Sequence, residues 1–300
     1  MKIRLLAAIL LLSLLLSACG GEGLVPPTEE AEPKETVTLP KTKEEKETKE
    51  TETQPSTEEL PTALRLTEEE KATRNAALTQ ALKGKKASFI GDSISTYQGY
   101  SNNVEYNPTI GENAVYYKGN NRGFTDVNET WWMQVVNSTG MELCVNNSWS
   151  GDRVTKRGVE RAKQLHNAKG EKPDVIVVYL GINDFRHAVT EGEFKTTYDR
   201  MIGGMKETYP EADLYLCTLV YTSSVSNPSV RPKNVEKFNA AIADVAAKYE
   251  ASVVDLYNGT GITWKNVKDH MADGTLHPNY LGMDKISECV LSTLGENYVK

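Results

Sequence analysis

The chain has 300 residues, of which 39% are hydrophobic and 25% charged, and its formal net charge at pH 7 is −7. This negative balance argues against a nucleic-acid partner, because phosphate backbones are bound by clustered lysine and arginine. The length allows one sizeable folded domain with further segments beside it.

The first 18 residues are predicted to be a secretory signal peptide. Lys2 and Arg4 precede an apolar run at positions 5–16, which is too short for a comfortable transmembrane helix. Residues 16–19 read Leu-Ser-Ala-Cys and resemble the bacterial lipobox, in which the cysteine is lipidated and becomes the mature N-terminus. We therefore expect a lipid anchor at Cys19 that holds the protein on the extracytoplasmic side of the cell membrane. An ordinary signal peptide with a chance cysteine is the alternative.

Residues 19–62 form a predicted tether that begins with the lipidated cysteine. From Gly20 to about Pro61 the chain is rich in Glu, Lys, Thr and Pro and has almost no large apolar side chains. Such a composition buries too little apolar surface to offset chain entropy, so we expect disorder. Phe89 is the first aromatic residue of the chain. The packed core is therefore expected downstream, in one domain over residues 63–300.

Strand and helix patterns alternate along this domain. Thr67 and Glu70 form a capping-box pattern for a helix that runs to about Lys83, with Gly84 as its stop. Short apolar runs predict five strands, at Ala87–Ile90, Met141–Val145, Asp174–Leu180, Asp213–Val220 and Ser252–Leu256. Helical patterns lie at about Thr130–Ser138, Val159–His166, Phe194–Tyr209, Val235–Tyr249 and Leu281–Leu294. This alternation predicts a mostly parallel sheet covered on both faces.

Short polar motifs follow the predicted strands. The sequence Gly-Asp-Ser-Ile-Ser at 91–95 follows the first strand, where the hydroxyl of a serine can meet a substrate. The later motifs are Asn-Asn-Ser-Trp-Ser-Gly at 146–151, Gly-Ile-Asn-Asp at 181–184 and Asp-Gly-Thr-Leu-His-Pro at 273–278. Ligands of parallel sheets bind beyond the carboxyl ends of the strands. We therefore expect Ser93, Gly151, Asn183 and His277 to converge at one edge.

In this order the motifs resemble those of the SGNH/GDSL hydrolases, a family of serine esterases and lipases, from about Lys85 to the C-terminus. The resemblance implies a flavodoxin-like three-layer α/β/α sandwich whose five-stranded parallel sheet has the order 2-1-3-4-5. It implies an oxyanion hole made of the backbone amides of Ser93 and Gly151 and the side chain of Asn183. No cysteine–histidine spacing suggests zinc, and we expect activity without a cofactor or metal. The Gly-x-Ser-x-Gly elbow of the α/β-hydrolases is absent at Ser93, because residue 95 is serine.

Four histidines compete to activate the serine, whose hydroxyl needs a base to take its proton. His277 matches the last family block and is the candidate base. His166 is expected at the surface, His187 could line the site, and His270 is a weak rival. Asp273 is the candidate orienting acid, although three residues separate it from His277 where the usual family spacing has two. A backbone carbonyl that orients His277, leaving a dyad, is the alternative.

Other groups near the motifs are expected to be structural. Asp92 and Asp184 lie beside turns, where carboxylates commonly accept hydrogen bonds from nearby amides. Once the lipidated cysteine is set aside, the remaining thiols are odd in number. We expect Cys144, Cys217 and Cys289 to be buried and free.

A long segment between Thr96 and Thr130, rich in Tyr, Asn and Gly, is expected to cover the site. We predict that Tyr97 and Tyr117 of this segment, and Trp149, bind the substrate; packing onto the core is the alternative. Tyr and Asn suit an acylated carbohydrate better than a long fatty chain.

We therefore expect an esterase that acts on carboxylic esters, with short acyl groups such as acetyl on a glycan as its substrate. A lipase, lysophospholipase or thioesterase with the same catalytic groups is one alternative. A non-catalytic carbohydrate-binding lipoprotein is another, and the intact set of four motifs argues against it.

Overall fold

The structure is a computed structural model that describes residues 66–101, 115–119, 123–224, 231 and 234–299. These residues fall within the unit Ser56–Lys300. The predicted signal peptide, the lipidation site Cys19 and the whole of the tether lie outside the described residues and stay predictions.

One five-stranded parallel sheet forms the centre of the domain. Its strands are β1 (Lys86–Gly91), β2 (Glu142–Asn146), β3 (Val175–Tyr179), β4 (Asp213–Cys217) and β5 (Ser252–Val254). Their order is β2-β1-β3-β4-β5 and each pair is parallel, so the predicted topology is confirmed. Every residue of β3 is buried, as expected for an apolar strand covered on both faces.

Helices cover both faces of this sheet. They are α1 (Glu68–Leu82), α2 (Trp131–Thr139), α3 (Val159–Arg161), α4 (Ile182–Arg186), α5 (Glu191–Thr208), α6 (Val235–Lys248), α7 (Leu256–Gly259), α8 (Val267–His270) and α9 (Tyr280–Tyr298). Helices α1, α2 and α9 pack together, and α5 packs with α6. In the described part of the chain, none of the helices combines the length and apolar character needed to cross a bilayer.

The first helix begins as its sequence predicts. The Thr67 side chain accepts from the N–H of Glu70, and the Glu70 carboxylate accepts from the N–H of Thr67, which completes the capping box. Past the helix, Gly84 takes a left-handed φ of 79°. The buried thiols of Cys144, Cys217 and Cys289 are free, also as predicted.

The predicted helix Val159–His166 is wrong in its extent. The structure has a π-helical turn, Val154–Gly158, followed by the short α3. The Asp184 carboxylate fixes the start of the π turn by accepting from the N–H groups of Val154 and Thr155. Near the far end, the N–H of Leu165 donates to Tyr209 Oη at 2.6 Å instead of continuing a helix.

Strand β4 is also shorter than predicted, ending at Cys217 rather than Val220. Beyond it, the N–H of Leu219 donates to Asn239 Oδ1 at 2.7 Å, and Asn239 Nδ2 donates back to the Leu219 carbonyl at 3.1 Å. A side chain of α6 thus satisfies backbone groups that a longer strand would have paired.

Candidate active site

The candidate nucleophile lies in a short turn at the end of β1. The Asp92 carboxylate accepts from the N–H of Ile94 at 3.0 Å and caps a 3-10 turn, Ser93–Ser95. A Cβ added at Gly91 would lie 2.5 Å from Ser95 Oγ, so only glycine leaves room for this turn. Ser93 is 4% exposed, and its hydroxyl is held at the carboxyl edge of the sheet.

A continuous hydrogen-bond chain joins three of the predicted site residues. Ser93 Oγ lies 2.9 Å from His277 Nε2, and His277 Nδ1 lies 2.6 Å from Asp273 Oδ2. The rival His270 instead points its Nδ1 at the carbonyl of Asn266, 3.0 Å away. The structure therefore brings together a hydroxyl, an imidazole and a carboxylate in the arrangement that activates a serine.

The unusual spacing of the acid and the base is accommodated within one turn. Asp273 Oδ1 accepts from the N–H groups of Thr275, Leu276 and His277 at 3.0, 2.8 and 3.1 Å. Gly274 has a φ of 73°, in the left-handed region, which lets the chain curl around the carboxylate. The additional residue is absorbed there, and a carboxylate rather than a backbone carbonyl meets His277 Nδ1.

This turn also keeps Asp273 ionised. Partial burial acts to raise the pKa of Asp273, but the hydrogen bonds from the His277 ring and the backbone outweigh it and hold that pKa well below its ordinary value. An ionised carboxylate can only accept, so it holds the proton of the imidazole on Nδ1 and leaves Nε2 free to take the serine proton.

The two remaining motifs hold the predicted oxyanion donors, Gly151 and Asn183. Gly151 is exposed and has a φ of 72°. Asn183, at the start of α4, is 3% exposed, and its Nδ2 donates to the carbonyl of Asp152 at 3.0 Å. The second N–H of Asn183 Nδ2 has no protein partner among the residues that the structure describes.

Arg186 fixes the orientation of that amide. Its Nη1 donates to Asn183 Oδ1 at 3.3 Å, and its Nε donates to the carbonyl of Ser224 at 2.7 Å. Since a guanidinium can only donate, it selects the amide orientation in which Oδ1 faces Arg186. Arg186 was not identified in the sequence, where only its closeness to the Gly-Ile-Asn-Asp motif could have indicated it.

A buried ionic cluster ties the serine turn to the second motif. Arg161, 2% exposed, pairs through Nε with Asp152 Oδ2 at 2.7 Å. Its other nitrogens donate to the carbonyls of Gly91, at 3.1 Å, and Asn147. No sequence pattern indicated this cluster, because Arg161 and Asp152 resemble ordinary surface residues until the chain is folded.

Asp92 and Asp184 have structural roles, as expected. Both are buried, and burial raises the pKa of Asp92 to about 7 and that of Asp184 above its ordinary value. Each accepts from backbone N–H groups next to the site, those of Ile94 and Val154 among them.

The three predicted substrate contacts lie in packed surroundings. Trp149 is 5% exposed and Tyr97 7%. Tyr117 is fully buried and donates through Oη to the carbonyl of Pro278 at 2.7 Å. Its burial leaves no surface for a substrate, so the alternative of core packing describes Tyr117.

Tyr116, the neighbour of Tyr117, contacts the candidate base directly. Its ring stacks on the His277 ring with centroids 3.5 Å apart and an interplanar angle of 11°. The sequence pointed to it only as one of several aromatic residues in the segment after Ser93.

Comparison with known proteins indicates a family. A family model described as the GDSL-like lipase/acylhydrolase family matches residues 89–285. This range contains Ser93, Gly151, Asn183, Asp273 and His277. A search of curated proteins finds no match.

Solved structures share the fold at low sequence identity. A variant of an acetyl xylan esterase from Geobacillus stearothermophilus is 20% identical, with a TM-score of 0.52, over 72% of this chain and 97% of that one. An alpha/beta hydrolase enzyme from the metagenome of Lake Arreo, Spain, is 18% identical, with a TM-score of 0.50, over 72% of this chain and 98% of that one.

Proposed function

The chain belongs to the GDSL-like lipase/acylhydrolase family and is a hydrolase of ester bonds, and we propose that it removes short acyl groups, acetyl above all, from carbohydrate. The observation that carries the proposal is the hydrogen-bond chain from Ser93 Oγ through His277 to Asp273. We infer ester hydrolysis from this chain of groups, and we infer a carbohydrate substrate from the residues around it.

In the proposed mechanism Ser93 is the nucleophile. Its Oγ attacks the ester carbonyl while His277 Nε2 takes the hydroxyl proton, and Asp273 stabilises the imidazolium that forms. His277 then returns this proton to the departing alcohol oxygen, which leaves an acyl-serine. A water molecule, deprotonated by His277, hydrolyses the acyl-serine and releases the carboxylic acid.

The oxyanion of each tetrahedral intermediate is bound by the backbone N–H groups of Ser93 and Gly151 and by Asn183 Nδ2. The hydrogen bond from Asn183 to the Asp152 carbonyl supports this assignment, since it aims the amide while leaving the second hydrogen for an oxyanion. Preorganised donors of this kind commonly contribute the largest share of catalysis.

The substrate class rests on the polar and aromatic character of the groups beside Ser93. The Tyr- and Asn-rich segment between Thr96 and Thr130, and Arg186 beside Asn183, offer hydrogen-bonding groups, which suit a sugar ring carrying a small acyl group. The G. stearothermophilus protein is an acetyl xylan esterase. At 20% identity it supports the fold, and an acetylated glycan for this chain is our proposal.

The proposal is tested by comparing ester substrates with the full-length protein. We expect acetate release from acetylated xylo-oligosaccharides and faster hydrolysis of 4-nitrophenyl acetate than of 4-nitrophenyl palmitate. Ser93→Ala and His277→Ala should abolish both reactions. His270→Ala is the matched control for the histidine change and should leave them intact. Preference for the palmitate ester, or for phosphatidylcholine over the glycan, would replace the carbohydrate esterase with a lipase.

We further propose that Cys19 anchors the protein by lipidation on the extracytoplasmic side of the cell membrane. The proposal rests on Leu-Ser-Ala-Cys at residues 16–19, behind a short apolar run. Mass spectrometry of the mature N-terminus should find acyl chains on Cys19, and Cys19→Ser should release or misprocess the protein. An unmodified N-terminus cleaved elsewhere would make the enzyme a freely secreted one.

A further inference from the structure

The imidazole of His277 is restrained in its own plane by two hydrogen bonds. Ser93 Oγ lies at Nε2 and Asp273 Oδ2 at Nδ1. Such bonds weaken steeply when their angles are bent, yet they place nothing against the faces of the ring. Restraint perpendicular to the ring has to come from another group.

Tyr116 supplies a group in that direction. With ring centroids 3.5 Å apart and planes within 11° of parallel, it covers one face of the imidazole. The π face of tyrosine attracts a cation, so the same contact favours the imidazolium that forms when His277 takes the serine proton. Tyr116 thus meets the base at right angles to the hydrogen-bond chain.

The chain around Tyr116 is fastened to both halves of the site. The N–H of Tyr116 donates to Thr96 Oγ1 at 2.9 Å, and Thr96 Oγ1 donates to the carbonyl of Ser93 at 2.9 Å. On the other side, Tyr117 Oη donates to the carbonyl of Pro278, the residue after His277, at 2.7 Å. The pair Tyr116–Tyr117 therefore connects the turn that carries Ser93 with the turn that carries His277.

We propose that Tyr116 is a positioning residue for the base: its ring holds the His277 imidazole in the plane that aims Nε2 at Ser93 Oγ. Tyr116 forms no bond with the substrate and transfers no proton in this role. The inference rests on the proposed function of Ser93 and His277. Displacements of about 1 Å can cost about 10²-fold in rate, so loss of the stack should be visible in the chemical step.

The reactivity of Ser93 toward diisopropyl fluorophosphate tests this independently of the natural substrate. In that reaction a bond forms between Ser93 Oγ and phosphorus, the P–F bond breaks, fluoride leaves and the serine proton passes to His277. We expect Tyr116→Leu to label at least about tenfold more slowly than the parent, and Tyr116→Phe, which keeps the ring, to label within about twofold of it. Tyr100→Leu removes an aromatic ring from the same segment, where it contacts Tyr97 and Trp132, and should label like the parent.

Steady-state kinetics with 4-nitrophenyl acetate provide a second readout. A positioning role predicts that Tyr116→Leu lowers kcat with KM nearly unchanged, and that Tyr116→Phe restores kcat. Parent-like labelling of Ser93 in Tyr116→Leu, or an equal loss in Tyr116→Phe, would overturn the inference. So would a loss confined to KM, which belongs to a substrate contact.

A measurement on the parent covers the case in which Tyr116→Leu does not fold. The carbon-bound ring protons of His277, assigned in NMR spectra by comparison with His277→Gln, should be shifted upfield by the ring current of Tyr116. The shift should persist in Tyr116→Phe, and its absence from the parent would contradict the inference. A parent that leaves Ser93 unlabelled would overturn the proposed nucleophile and this inference with it. A labelled parent that spares acetylated glycans would remove only the substrate assignment.

Discussion

Asp273 divides its two carboxylate oxygens between two tasks. Oδ2 meets His277 Nδ1, while Oδ1 gathers the N–H groups of Thr275, Leu276 and His277. The second task explains how a separation of three residues can still deliver an acid to its base. A single aspartate shapes the turn and holds the imidazole in it.

This double use predicts how Asp273→Asn changes stability with pH. A carboxyl whose pKa is lowered by folding contributes stability that is present above its ordinary pKa of 3.8 and lost as pH falls through the folded value. The stability of the parent minus that of Asp273→Asn should therefore shrink as pH falls below about pH 4. Urea unfolding across this range measures it, with the exposed Asp269→Asn as control. A difference that grows as pH falls below about pH 4 would contradict the hydrogen-bond arrangement.

Asn183 and Arg186 give a graded pair of changes. Removing one oxyanion donor typically lowers kcat by about 10²–10³-fold, which we expect for Asn183→Ala. Arg186→Met leaves the amide in place but frees its orientation, so a smaller loss of kcat is expected. Adding Arg186→Met to Asn183→Ala should cost little more, because both act on one amide. Full additivity would show that Arg186 acts on the substrate by another route.

Site residues in local sequence motifs could be predicted, whereas those placed by contacts between distant parts of the chain could not. Ser93, Asn183 and His277 stand in short motifs next to predicted strand ends, and local pattern sufficed to bring them together. Tyr116 and Arg186 owe their places to contacts across the fold, with His277 and with Ser224. No local pattern encodes such contacts.

At the level of secondary structure, the 3-10 turn Ser93–Ser95 depends on a buried capping residue, Asp92. Asp92 is 1% exposed and accepts from the N–H of Ile94. The guanidinium of Arg161 ties the carbonyl of Gly91, just before this cap, to that of Asn147 in the second motif. The carboxyl ends of β1 and β2 are thereby joined beneath the site.

Burial of Asp92 makes the turn sensitive to pH. Because folding raises this pKa from 3.8 to about 7, the stability it contributes is present below about pH 4 and is lost as pH rises to about 7. Asp92→Asn keeps an acceptor for the cap and cannot ionise. The stability of Asp92→Asn relative to the parent should therefore increase between pH 4 and pH 7, as measured by urea unfolding. A difference that stays flat between pH 4 and pH 7 would mean that Asp92 stays ionised when buried.

The strands were predicted more accurately than the segment after β2. Their apolar runs are a local signal, and β3 was located within one residue at each end. The π turn Val154–Gly158 depends on the Asp184 carboxylate, which comes from the next motif along the chain. Sequence periodicity cannot report a helix start that is fixed by a distant side chain.

For the whole molecule, every proposed catalytic group lies between Ser93 and His277. A chain that begins at Pro61 should therefore hydrolyse 4-nitrophenyl acetate with the kcat/KM of the full-length protein, to within about twofold. Parallel assays of the two proteins, with circular dichroism as the check on folding, decide the point. A large loss of rate in the folded shorter protein would show that residues before Pro61 contribute to the site.

The turn that carries Asp273 and His277 has a consequence for thermal inactivation. It is closed on itself by a hydrogen bond from the N–H of Ala272 to the carbonyl of His277 at 2.7 Å, whereas Ser93 belongs to the edge of the sheet. Groups outside the turn hold it as well, since Thr222 Oγ1 donates to the carbonyl of Thr275 at 2.9 Å and Tyr117 Oη to that of Pro278 at 2.7 Å. An acid–base pair fastened in this way to the surrounding fold should not open ahead of the core. Thermal loss of activity should thus coincide with loss of the ellipticity of the helices, and inactivation at a clearly lower temperature would contradict this.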